Sequence, residues 1–174
     1  MEFEKKLYIS LFKKAITEEK IKPSKDIFKI KLFLTRAESS LLIAKHIKEF
    51  KVLQGDPPRL QWDYWAIIIS YYAMLYAAKS AILSKGYEVN NHDAAQIALG
   101  NLLVPDRLEK EDLEILNQAY KIFEEEYVYY FEDAKTESHI ARYSAIKTYS
   151  ERRLQEVFEN ATNFVAKIIL MLQD

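Results

Sequence analysis

From Trp62 to Leu83 the chain reads W-D-Y-W-A-I-I-I-S-Y-Y-A-M-L-Y-A-A-K-S-A-I-L, with no glycine or proline to interrupt it. Wound as a helix, this segment is apolar on nearly every side. Such a helix has to be enclosed by others, which makes it the central post of a bundle. It stops at Gly86, and a short polar link leads to His92. The most continuous apolar run, Ala66 to Ala78, falls short of the roughly 18 to 20 residues of a membrane span, and Lys79 ends it.

The rest of the chain is consistent with an all-α fold. With only three glycines and four prolines in 174 residues, there are too few turn residues for a hairpin-rich sheet protein. Glu2 to about Lys20 reads as a short amphipathic helix, broken at Lys22-Pro23-Ser24. A second helix runs from Ser24 or Asp26 to about Phe50, with Ile30, Phe33, Leu34, Ala37, Leu41 and Ala44 on one face. Gly55-Asp56-Pro57-Pro58 connects it to the central helix. His92 to about Leu103 forms a shorter helix, ended by Val104-Pro105-Asp106. Leu113, Leu116, Tyr120, Phe123, Tyr127, Tyr130 and Ala134 then recur by threes and fours, a narrow seam of coiled-coil type. Asp133 to Thr148 is polar and less regular, and either Thr148-x-x-Glu151, as a capping box, or Ser150 caps the last helix. Four long helices with short links predict an up-down-up-down bundle of four to five helices over residues 26–174, with residues 1–25 as an N-terminal helical extension.

Several chemistries find no support. The chain has no cysteine, so it has neither disulfides nor thiolate sites. Its glycines lie too far apart for a phosphate-cradling loop. His46, His92 and His139 are too dispersed for a metal site, and no cofactor is expected. A net charge of −1 gives no bulk attraction for nucleic acid, although a local basic patch can still supply it. The charged start, without an apolar signal core, is consistent with a cytoplasmic protein that does not engage a membrane.

Two polar groups stand out. In N-N-H-D, Asn90 or Asn91 caps a helix and Asp93 sits at its positive end. His92 is then either simply exposed or meets a ligand at the bundle end. His139 and Arg142, three residues apart, form either a surface ion-pair group or a small cationic site for phosphate.

A-E-S-S-L-L-I-A-K-H (37–46), S-Y-Y-A-M-L-Y-A-A-K-S-A-I-L-S-K-G-Y-E-V-N-N-H (70–92), A-R-Y-S-A and S-E-R-R-L-Q-E-V-F-E-N-A-T-N-F-V-A-K-I-I (within 141–169) together resemble HEPN domains over roughly Ile30 to Leu172. The resemblance implies a helical bundle that pairs as a homodimer and acts beside a small nucleotidyltransferase. Many members are metal-independent RNases of toxin-antitoxin or defence systems, with an Arg followed four to six residues later by a His. Arg142 matches the Arg, but the His positions hold Lys147, Thr148 and Tyr149. The expectation is therefore a non-catalytic module that binds a nucleotide, RNA or a partner, with Arg142, Tyr143, Lys147 and His92 as ligand-binding residues. The alternative is an RNase with an atypical site of Arg142, His139 and Tyr149.

Overall fold

A computed structural model of the chain describes residues 4–133 and 140–173, apart from the side chains of Leu60 and of residues 126–150. Among the described residues there are six helices: α1 (Lys5–Thr17), α2 (Ile27–Glu49), α3 (Arg59–Ser84), α4 (His92–Leu102), α5 (Lys110–Asp133) and α6 (Ile140–Gln173). The predicted helical bundle is thus observed. α3 is its post, packing against α2, α4, α5 and α6. Ala66, Ile67, Ala73, Met74, Ala77 and Ala81 are fully buried. The alanines let neighbouring helices come close, while Ile67, Met74 and Ile82 fill the space between them. The segment Gln61–Ser84 has the length and hydropathy of a membrane span, but 78% of its most apolar stretch is buried inside the bundle. Its apolarity is thereby accounted for by the core.

Long-range pairs fix the direction of the helices. Ser80 Oγ donates to Ile30 O and Arg59 to Lys48 O, so α2 and α3 run antiparallel. Lys167 pairs with Asp112 at 2.6 Å and Arg153 with Glu125 at 2.7 Å, so α5 and α6 do likewise. The tight α2–α3 corner rests on Arg59. Its Nε donates to Asp63 Oδ1 at 2.6 Å, while its other nitrogens donate to Phe50 O at 2.9 Å and Lys48 O at 2.6 Å. A cation at the end of α2 satisfies carbonyls that the helix leaves unpaired, and it neutralises the fully buried Asp63.

Two features differ from the sequence reading. The breaks at Lys22-Pro23 and after Gly86 pair with each other as a short antiparallel ladder, β1 (Ile21–Pro23) with β2 (Tyr87–Val89), in which Ile21 faces Val89. Gly86 has φ +85, a left-handed turn conformation that suits glycine. The last helix begins at Ile140, well before the predicted capping box, so Thr148 lies inside α6. A capping preference is a local signal, and the propensity of the surrounding residues to continue the helix overrides it.

α1 joins the same core through Phe12 and Ala15. It lies so close to α4 that a methyl group at Gly100 would sit 2.2 Å from the Tyr8 ring. The Lys5 ammonium donates to the carbonyls of Gly100, Asn101 and Val104, closing the C-terminal end of α4.

Candidate functional site

The α2/α3 pair leaves one side open, and polar chemistry gathers there. Phe33 and Arg36 come from α2, and Tyr72, Tyr76 and Lys79 from α3 at spacings of four and three. The rings of Phe33 and Tyr76 stack at 6.1 Å with an interplanar angle of 16°. Arg36 lies 5.8 Å from the centroids of both rings, and the Lys79 ammonium 5.8 Å from that of Phe33. Tyr72 continues the platform, 6.2 Å from Tyr76 and 39% exposed. Two turns nearer the start of α3, Trp65 is 53% exposed.

Arg36 and Lys79 make no ion pair among the described residues. Burial pushes the Lys79 ammonium below its ordinary pKa; Glu88 opposes that shift and Arg36 adds to it. Glu88 itself is held by Lys29 at 2.9 Å. Two neighbouring cations over aromatic faces, one of them short of solvent, are arranged to receive an anion.

His92 belongs to a different part of the molecule. Asn91 caps α4 by accepting from Ala94 N at 2.8 Å, as one of the two predicted alternatives. The expected exposure of His92 is corrected: the residue is only 6% exposed. Its ring stacks on Tyr120 at 3.9 Å, and Nδ1 lies 3.3 Å from the Tyr71 hydroxyl. The capping pattern in N-N-H-D could not reveal the aromatic rings that α3 and α5 bring over it. Burial lowers the His92 pKa, against the pull of Asp93, Asn117 and Glu124. A hydrogen bond to Glu124 leads the causes that push Tyr120 up to about 12, and burial raises Tyr71. All three are therefore neutral near neutral pH. The seam of α5 turns inward here: Leu113, Leu116 and Ala119 are buried, and Phe123 stacks on Tyr71 at 4.9 Å.

The other residues singled out from the sequence lie elsewhere. Arg142, Tyr143, Lys147 and Tyr149 fall in the first turns of α6, with side chains outside the described residues; His139 lies outside them altogether. Tyr127 and Tyr130 lie in α5 with side chains outside the described residues, and Ala134 lies outside them altogether. No group of three or more His, Asp or Glu residues suited to a metal occurs among the described residues. A concavity of about 180 Å³ between α1, α4 and α5 is lined by Tyr8, Gln96, Lys110, Glu114 and Asn117, among others. There Glu114 neutralises Lys110 at 2.8 Å.

Sequence reasoning missed Arg36, Tyr72, Tyr76 and Lys79 as a group. The available signal was their shared helical spacing on α3, together with F-x-x-R on α2, but only the packing of the two helices unites them.

The comparison with known families agrees with the architecture. Residues 60–172 match the HEPN domain, from the first turn of α3 to the end of α6. The α2 segment that contributed to the resemblance lies outside that match. No curated protein matches the chain closely enough to count as a relative. With most of its length, including the central post, covered by the match, this chain belongs to the HEPN domain family.

Proposed function

We propose that this HEPN domain is a non-catalytic binding module for a nucleotide unit, free or within single-stranded RNA. It works as a homodimer in the cytoplasm, beside a small nucleotidyltransferase. The observation that carries the binding role is the placement of Arg36 and Lys79 over the Phe33–Tyr76 stack. A phosphate between the two cations relieves their mutual repulsion, and the exposed Tyr72 ring offers a face to a base. Cation plus stacking platform is the chemistry by which proteins hold single strands without reading sequence. Arg142, Tyr143 and Lys147, whose side chains lie outside the described residues, remain ligand-binding residues in this proposal, and His92 supports the fold from within.

The test is fluorescence anisotropy with a labelled single-stranded oligoribonucleotide at low and moderate salt. Wild type should bind, and binding should weaken steeply as salt rises. Arg36→Ala with Lys79→Ala should weaken it at least tenfold, and the RNA should remain intact in the absence of metal. Equal binding by the double variant would refute the assignment. Metal-free cleavage lost in Arg142→Ala would establish the RNase reading instead.

A further inference from the structure

α2 carries a second apolar face, opposite the one buried against α3. Phe28, Leu32, Leu42 and Ile43 are 77%, 37%, 57% and 50% exposed, and Ser39 among them is exposed as well. No charged side chain interrupts this stripe. One edge of it carries Lys31, Glu38, Lys45 and Glu49, all exposed, with alternating sign. Past the helix end, where the chain turns and the Phe50 ring meets Trp62, Phe50 and Leu53 are 41% and 62% exposed.

This pattern is its own complement. A two-fold axis between residues 40 and 41 brings Lys31 within one residue of register with Glu49 of a second copy, and Glu38 within two residues of register with Lys45. The same axis sets Thr35 opposite His46 and Ser39 opposite Leu42, and brings Leu32 within one residue of register with Phe50 at the helix end. Both members of every pair lie along one edge or along the stripe, and side chains offset by one or two residues, about 1.5–3 Å, can meet within one antiparallel helix pair. Ser39 near the crossing point lets the helices approach closely. An isologous contact requires this kind of self-complementarity, and a heterologous partner does not.

We infer that α2 packs against α2 of a second copy through this stripe, as an antiparallel pair. The inference rests on the reading that the domain acts as a homodimer, and adds to it which face makes the contact. The axis leaves both Arg36–Lys79 patches on the same side of the pair, where one strand can cross both. A helix of 23 residues offers roughly 34 Å of contact length, which places the interface toward the small, reversible end of the range.

Charge exchange tests it. Lys31→Glu with Lys45→Glu makes the edge wholly acidic, and Glu38→Lys with Glu49→Lys makes it wholly basic. Sedimentation equilibrium of the full chain should show a concentration-dependent wild-type dimer. Each double variant should be at least tenfold weaker in self-association, with an unchanged circular dichroism melt, because the four residues are exposed. An equimolar mixture of the two variants should restore the dimer. If both variants dimerise like wild type, the face is wrong while the homodimer reading stands. Failure of the mixture to associate likewise overturns the face. A wild type that is monomeric at every concentration overturns both.

Discussion

The imidazole of His92 lies flat on the phenol ring of Tyr120, 3.9 Å between centroids and 14° from parallel, and is closed off from water. α4 begins at this histidine, so the stack ties the start of α4 to the middle of α5. Because burial depresses the His92 pKa below its ordinary 6.5, folding favours the neutral ring. The unfolded chain therefore binds more protons between the two pKa values. The stabilisation is complete above about pH 6.5 and is lost as pH falls through the folded-state pKa. Thermal melts from pH 7.5 down to 5 should fall in this window, and His92→Phe should flatten the decline. An unchanged slope in His92→Phe would assign the acid sensitivity to other groups.

Gly100 permits the close approach of α1. Gly100→Ala puts a methyl group into the Tyr8 ring and should cost about 1–3 kcal/mol by overpacking. Tyr8→Ala in the same background removes the obstacle and should make the glycine substitution nearly neutral relative to Tyr8→Ala alone. Denaturant unfolding of the four proteins of this cycle reads the coupling.

The α2–α3 corner should be sensitive to loss of its guanidinium. Arg59→Met leaves Asp63 buried without its cation and leaves the last carbonyls of α2 short of donors. A loss on the order of 3 kcal/mol is expected. Lys22→Met, which breaks the exposed pair with Glu19, should leave the chemical denaturation midpoint where it is.

The Lys5 ammonium closes the end of α4. Lys5→Met should cost about 1 kcal/mol, through carbonyls left without a donor and a lost cation at a helix C-terminus. Amide hydrogen exchange should rise first around Asn101 and Leu102. Arginine at position 5 keeps the charge and should recover part of the loss.

How far the sequence was readable depended on how local each signal is. α3 could be placed from composition alone, because residues such as Ile67, Ala77 and Leu83 on different sides of one helix admit only a buried solution. Asn91 as a cap was readable because the cap and the Ala94 N–H that donates to it lie three residues apart. The β1–β2 ladder was not, since three residues carry no alternation and Ile21 meets Val89 only after α2 and α3 intervene. The second face of α2 went unread once Ala37 and Ala44 had explained the first. The Arg36–Lys79 patch joins residues 43 positions apart, and no spacing rule links them before α2 and α3 pack.

Location on the surface is the core of the functional account, and photo-cross-linking addresses it most directly. A 4-thiouridine oligoribonucleotide, irradiated with the wild-type domain and mapped by peptide mass spectrometry, should form adducts on Tyr72, Tyr76 or Phe33. Arg36→Ala with Lys79→Ala should abolish them. Adducts confined to the first turns of α6, or none on the α2/α3 face, would contradict the assignment.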